Sequence, residues 1–465
     1  FDQSGNVRAL YADLVEAFNG LDDTELERRE QLQEMSLVNQ GITFTVYGES
    51  EGVERIFPFD FVPRVLAAAE WNTIERGLAQ RVTAINLFLS DLYTDQRCMQ
   101  EGVVPPELIL ESDEFRRELI GTLPRHGIYT HVVGTDLLRD DEGQFVVLED
   151  NCRNPSGVSY VLENRNLLSR VFPELFNRYG VRPVERYPNM LLEALRHTAP
   201  RGREQPVVAV LTPGIYNSAY FEHSFLAREM GVPLVEGRDL IVEDDQVFMR
   251  TTRGKHRVDV LYRRIDDAWL DPVVFEEHST LGVPGLMHAY RQGNVTIANA
   301  PGSGVADNKS IYPWMPDIIR FYLDEDMILP QVRTYIGRNS DDAAYIREHL
   351  DELVVKLCGG AGGYGMLVGP MATTAERDEF RSVFNANPEQ YIAQPLIEFS
   401  HHPTWTNDAF EPRRVDLRPF ALFGDGVQVL PGGLTRVALE AGSYVVNSSQ
   451  GGGSKDTWVL AGDHS

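Results

Sequence analysis

Cysteine is scarce in this chain: Cys98, Cys152 and Cys358 stand far apart in 465 residues, with no C-x-x-C pair. That excludes a disulfide framework, fits a reducing compartment and makes a cytoplasmic location the expectation; Cys152 and Cys358 read as small buried thiols. Long apolar runs are missing as well. The longest reach about five residues, against the roughly twenty of a membrane-spanning helix. The first thirty residues show no secretory pattern, and no internal repeat or low-complexity tract occurs. Basic residues are outnumbered, 43 Lys and Arg against 69 Asp and Glu, for a formal charge of −26. A nucleic-acid-binding surface needs clustered cations and is excluded, while any anionic small ligand needs a local island of Lys, Arg and metal.

Several chemistries lack their signature. No G-x-S-x-G elbow is present, and no HRD or DFG. Gly254-Lys255 is followed by His256, so the G-x-x-x-x-G-K-[ST] phosphate loop is absent. His401-His402 has no third ligand at zinc spacing.

What is present centres on residues 353–368. Val354-Val355-Lys356 leads into Gly359, Gly360, Gly362, Gly363 and Gly365, and Met366-Leu367-Val368 resumes the apolar run. Aliphatic runs flanking a glycine cluster read as strand, loop, strand. Glycines let backbone N–H groups approach a phosphate, and Lys356 can add a fixed positive charge to the same anion. Gly360-x-Gly362-x-x-Gly365 also satisfies the dinucleotide fingerprint, but that motif opens a helix and a strand follows here. The alternative is a glycine-rich surface hairpin without a ligand.

A second stretch spans His131 to Ser159. HVVGTDLL and QFVVLEDN read as two strands of a hairpin, and a two-residue Glu142-Gly143 loop would set Asp136 directly opposite Glu149. Asn151 falls on the same face. Two facing, unpaired carboxylates are unfavourable unless a cation lies between them, and these oxygen donors suit magnesium. A solvated acidic hairpin is the alternative.

The rest of the chain supplies a frame. Residues 1–125 read as mainly helical scaffold: Tyr11–Phe18, Thr24–Glu34 and Trp71–Tyr93 are amphipathic, with short strands at Ile42–Tyr47 and Ile56–Phe59. Residues 205–305 alternate strand and helix, an open α/β layer. Its first strand ends at Thr212, so Tyr216, Asn217 and Ser218 are candidate substrate contacts or an ordinary strand-to-helix turn. Lys309 would open a helix over Ser310–Leu323. The strand from Tyr391 runs into Pro395, which ends it and biases Gln394 towards an extended backbone, so Gln394 and Leu396 on either side could offer amide and backbone groups to an adenine edge. Arg418 and Arg436 can fork onto phosphate or carboxylate. Residues 446–460 read as a glycine-rich loop or linker.

Together Lys309, VVKLCGGAGGYG, YIAQPLIE and VDLRPF resemble the ATP-grasp arrangement. Because TDLL…VVLEDN precedes them, the chain looks circularly permuted. LEDNCRNPSGVSYVLENR, LTPGIYNSAYFEH, LPGGLTRVAL and NSSQGGGSKDTWVL are similar to the circularly permuted ATP-grasp proteins related to glutathionylspermidine synthase. The resemblance implies a mixed α/β and α+β fold. Its parts are a helical N-terminal region (1–125), a metal-binding hairpin with helices (126–204), a Rossmann-like substrate domain (205–305) and the lid, hinge and C-terminal core (306–465). It implies magnesium on Asp136, Glu149 and Asn151, and ATP phosphates on Lys309, Lys356 and the five glycines. Adenine falls at Gln394 and Leu396, and catalytic roles to Lys356, Arg418 and Arg436. The implied reaction joins a small-molecule or peptide carboxylate to an amine through an acyl phosphate, with ATP and magnesium. A phosphotransferase or a non-catalytic nucleotide-binding subunit stays open, as does a partner protein or homo-oligomer. Gly134 stands where glutathionylspermidine synthetases carry Arg, so their substrate is not carried over.

Overall fold

Six strands drawn from four separate stretches of sequence make the central sheet, in the order Phe59–Leu66, Gly453–Val459, Val427–Val437, Arg418–Phe423, Val132–Arg139, Phe145–Asn151. The structure, a computed structural model, describes residues 6–41, 43–46, 53–56, 58–140, 142–360, 365–406, 409–444, 446 and 452–462. Neighbouring strands run antiparallel except Gly453–Val459, which pairs parallel with Phe59–Leu66. The N-terminal region is therefore more than a helical scaffold, since it supplies an edge of this sheet. The expected loop or linker near the C-terminus contains a buried strand instead. Lys455 on that strand meets Asp60 on its neighbour at 2.5 Å, both side chains out of solvent. An ion pair closed to water in this way fixes the register of the two strands better than apolar contact would.

Behind the sheet runs the helix Ala68–Leu92. Trp71, Ile74, Leu78, Val82, Ile85, Leu89 and Leu92 recur every three or four residues and are all buried, the stripe expected of a core-facing helix. A four-stranded parallel sheet, ordered Thr296–Ala298, Val260–Arg263, Val208–Leu211, Leu234–Val235, forms the α/β layer. Its inner strands are buried along their whole length because both faces are covered, Val208–Leu211 being apolar throughout and Val260–Arg263 ending in a buried arginine. An antiparallel ribbon, Leu240–Glu243, Gln246–Thr251 and Gly254–Val258, is inserted after the layer's second strand. Asn299 ties the layer to the central sheet: its Oδ1 accepts from His131 N and Val132 N, and its Nδ2 donates to Val132 O and Cys152 O.

A third sheet, ordered Tyr335–Ile336, Tyr391–Pro395, Leu353–Leu357, Leu367–Val368, carries the glycine cluster between its last two strands. The helices Ser340–Glu348 and Thr374–Ala386 pack on it through Ile346, Leu350 and Phe384. Lys309 lies in a turn between two short 3-10 segments, Ser303–Asp307 and Tyr312–Trp314, and the helix begins only at Met315. Pro313 and Pro316 are the reason, since neither can donate a backbone hydrogen bond and both are confined to the first turn of a helix.

Candidate functional site

The acidic hairpin keeps the expected pairing by an unexpected route. Its turn closes with Asp140 N donating to Gln144 O at 2.9 Å and Gly143 in the left-handed region at φ 83°, one residue longer than a Glu142-Gly143 loop. Arg139 then faces Phe145 and Leu137 faces Val147. A bulge at Leu148 shifts the register, so Asp136 faces Glu149 and Gly134 faces Asn151. The extra turn residue and the extra bulge residue cancel.

Neither carboxylate is unpaired, however. Arg418 forks onto Asp136 with Nε–Oδ1 2.5 Å and Nη2–Oδ2 2.8 Å, and Arg436 Nη2 adds a third bond to Oδ2 at 2.8 Å. The strands explain the convergence. Arg418 lies opposite Leu434, and Arg436 two residues on shares that face. Burial alone would raise the pKa of Asp136, but the two guanidiniums hold it well below the usual carboxylate range. Arg436 also grips Asp416, with Nε 2.9 and 3.0 Å from its oxygens. Burial pushes Asp416 upward against that pull. The space over Gly134 is occupied: a Cβ there would lie 3.2 Å from Pro155 and 3.3 Å from the stem of Arg418. A side chain at 134 would therefore meet the stem of Arg418, which reaches in from the neighbouring strand.

Glu149 has a looser partner, Lys309 Nζ at 3.6 Å. Lys309 also donates to Gly360 O at 2.6 Å, and its backbone N–H to Cys358 O at 2.9 Å, fastening the turn to the start of the glycine hairpin. Lys356 Nζ donates to Gln394 Oε1 at 2.9 Å. Its pKa is lowered by burial, with Glu149 pulling it back up and Lys309 adding to the fall.

These groups surround one cleft of about 590 Å³, a size suited to a nucleotide-sized ligand. Asp136, Glu149, Asn151, Lys309, Lys356, Gly359, Gly360, Arg418 and Arg436 line its polar part, and Ser218 reaches it too. Leu396 lines the other end together with Gln394, Val354, Met366 and Val368. Gly365 is described but does not line the cleft; its φ of 69° and the Leu357 side chain 2.8 Å from a would-be Cβ make it a turn glycine. Gly362 and Gly363 lie outside the described residues. Tyr216 is 94% exposed and Asn217 Oδ1 caps Ala219 N at 2.9 Å, so among the three candidate contacts only Ser218 is brought in. The Gln394 side chain is held between Lys356 and Thr334 Oγ1, and Leu396 N–H makes only a 3.5 Å bond to Glu352 O.

Magnesium finds hard oxygen donors here, but not the set of free acids expected. Asn151 Nδ2 donates to Gly134 O, which turns its carbonyl oxygen away from that bond, and Glu149 is only loosely paired. Both oxygens of Asp136 are already bonded to arginine. Among the described residues no cluster of three His, Cys, Asp or Glu side chains is placed to hold a metal ion. The donors that remain fit a hard cation that shares its shell with phosphate oxygens.

Two features escaped the sequence. Arg153 is ringed by Glu114 at 2.8 Å, Asp266 at 3.0 Å and Asp307 at 3.5 Å on the cleft wall. Asp307 also accepts a short bond from Cys152 N, and burial pushes it up to about 7. Its place two residues before Lys309 was the available signal. Asp416 was the other, two residues before Arg418 in the VDLRPF stretch.

A family model described as circularly permuted ATP-grasp type 2 matches residues 63–438. The chain is 52% identical over 463 residues to the uncharacterized protein sll0335 of Synechocystis sp., covering 99% of this chain and 96% of that one. It is 42% identical over 460 residues to a Frankia alni protein named "Putative glutamate--cysteine ligase 2-3", covering 98% of this chain but 53% of that one. Among solved structures, the apo form of a glutathione synthetase-like effector (GSS30) from Globodera pallida superposes with a TM-score of 0.59 at 12% identity, over 95% of this chain and 98% of that one. That likeness is one of fold.

Proposed function

The chain belongs to the circularly permuted ATP-grasp type 2 family, and from that premise we propose that it is an ATP-dependent ligase joining a carboxylate to an amine. The observation that carries the reading is the convergence of Lys309, Lys356, Arg418 and Arg436 on one cleft that Gly359 and Gly360 also line, in a protein of net charge −26. Arg418 and Arg436 are already paired with Asp136 and Asp416, and Glu149 lies beside Lys309, so the anion site rests on Lys356, held by the neutral Gln394 amide, and on Lys309. The Frankia relative supports ligation only in part, because the shared region is about half of it and its named activity is not tied to that half.

In this reading Lys309 and Lys356 bind the ATP phosphates, and the apolar end near Leu396 takes the base. Arg418 and Arg436 orient the substrate carboxylate so that its oxygen meets the γ-phosphorus in line. Such transfers depend on positioning and charge stabilisation more than on covalent help. Glu149 and Asn151 would hold magnesium, which would supply charge neutralisation at the phosphoryl group, while Asp136 holds Arg418 and Arg436 in place. The glycine hairpin excludes water from the acyl phosphate until an amine displaces phosphate, forming the C–N bond. The acceptor and donor are a small molecule or peptide.

Release of ADP and phosphate from ATP tests this, measured with the purified chain against pools of carboxylates and amines. Release that needs one compound of each kind, with a new amide detected by mass, is the expected result. A stable phosphorylated product formed without an amine would instead identify a phosphotransferase.

A further inference from the structure

Under the floor of the cleft, one guanidinium reaches the three parts of the chain that carry its charged groups. Arg81 sits within the helix Ala68–Leu92 with a side chain only 2% exposed. Its Nε lies 3.0 and 2.8 Å from the two oxygens of Asp150, and Nη2 is 2.7 Å from one of them. Asp150 lies between Glu149 and Asn151 and projects to the opposite face of their strand. Nη1 of Arg81 donates to Gln331 Oε1 at 3.0 Å. Gln331 belongs to the segment that leads into the lid sheet at Tyr335, and its neighbours bond the hairpin, Val147 N to Pro330 O at 2.8 Å and Val332 N to Val147 O at 3.0 Å. Tyr312, three residues past Lys309, places its ring 5.4 Å from the same guanidinium. Its hydroxyl donates to Val147 O at 2.5 Å and accepts from Val332 N at 2.8 Å.

The bulge at Leu148 is what gives this arrangement a task. The ladder with Val132–Arg139 is interrupted between Val147 and Glu149, and a bulge bends the strand and increases its local twist, which re-aims the side chains beyond it. On one side of it, Val147 is held by Pro330, Val332 and Tyr312. On the other, Asp150 is held by Arg81. Among the described residues Arg81 links the two sides, bonding Asp150 directly and reaching the other side through Gln331, whose neighbours bond Val147. A buried ion pair contributes little net stability compared with apolar packing, but a planar fork fixes direction.

We propose that Arg81 is a positioning residue of the nucleotide site, setting Glu149, Lys309 and the base of the lid relative to one another without lining the cleft itself. The inference rests on the ATP reading above. Arg81→Lys keeps the charge beside Asp150 but cannot fork to it and reach Gln331 as well. Gln331→Leu removes the arm towards the lid, together with the Gln331 Nε2 bond to Tyr312 O at 2.9 Å, and leaves the ion pair whole.

The full chain and both variants are titrated calorimetrically with ATP plus magnesium and, separately, with AMP, and hydrogen exchange is followed over Leu353–Leu357. Expected are a cooperative unfolding transition in each variant, a loss of about tenfold or more in affinity for magnesium ATP, AMP affinity held within about twofold, and faster exchange in Leu353–Leu357. Unchanged magnesium ATP affinity in a folded variant would overturn the proposal. So would an equal loss for AMP, which marks a general packing defect. If Arg81→Lys does not fold, Gln331→Leu decides alone. Failure of the unaltered chain to bind ATP would sink the nucleotide reading rather than this one. In that event unchanged exchange in the variants overturns the role of Arg81, and faster exchange upholds it.

Discussion

Lys356 and Gln394 sit diagonally across two antiparallel strands of the lid sheet, with Nζ of the lysine donating to Oε1 of the glutamine at 2.9 Å. The other end of the amide donates to Thr334 Oγ1 at 2.9 Å, which fixes which end faces the lysine. The Gln394 amide is thus turned towards Lys356, while its place before Pro395 pointed to the adenine. Gln394→Leu is expected to weaken magnesium ATP binding about tenfold, the worth of one hydrogen bond to a charged group. The ratio of ATP to GTP affinity should not change. Competition titration with the two nucleotides checks this, and an altered ratio at undiminished affinity would return Gln394 to the base.

Asp136 and Glu149 face each other, yet their substitutions should differ sharply. Asp136 is buried under three bonds from two arginines, so Asp136→Asn leaves guanidinium charge without its counter-ion and should cost about 3–5 kcal/mol. Glu149 is partly exposed and 3.6 Å from Lys309, so Glu149→Gln should cost less than about 1 kcal/mol. It should still abolish the magnesium dependence of nucleotide binding. Urea unfolding and titration with and without magnesium separate the two effects. Equal stability losses would mean that Asp136 is not the anchor of Arg418 and Arg436.

This pair also shows how far the sequence could be read. Period-two alternation put Asp136 and Glu149 on one face, but the pairing expected from a two-residue turn holds only because an extra turn residue and the bulge at Leu148 cancel. The α/β layer and the strands flanking the glycines were legible, because each depends on neighbours in the chain. The cations that answer the facing carboxylates come from residues 418 and 436, nearly three hundred positions away, and no local pattern announces them. The argument that two unpaired acids demand a metal therefore began from a pairing state that only the assembled sheet defines. The strand at Gly453–Val459 was missed for a related reason. Its GGG-S-K-D start reads as a linker until Asp60 supplies a partner for Lys455.

All three thiols are out of solvent, and burial pushes Cys98 and Cys358 each up to about 12. Thiolate is the reactive form, so labelling in the folded chain should be slow for all three at pH 8 and complete in denaturant. Alkylation followed by mass spectrometry reports the rates. Fast labelling of Cys358 in the native chain would show that the strand ending in Leu357 opens readily.

Asp307 gives the stability of this protein a pH dependence with a defined sign. Burial is the main cause that pushes it up to about 7, opposed by Arg153, the Cys152 N–H and Lys309 and assisted by Glu114. In the unfolded chain the same carboxyl titrates near 4. The folded state thus holds one more proton between those values, and its contribution to stability is full below about 4 and is lost as pH rises through about 7. Each unit between the two pKa values is worth roughly 1.4 kcal/mol. Asp307→Asn keeps an oxygen to accept the Cys152 N–H and cannot ionise. The melting temperature of the variant minus that of the unaltered chain should therefore widen in the variant's favour from pH 4 to pH 7 and level off above it. Thermal melts at matched ionic strength across that range measure the difference, in which groups titrating equally in both chains cancel. A difference that stays flat would mean that Asp307 is ionised throughout and that Arg153 outweighs its burial.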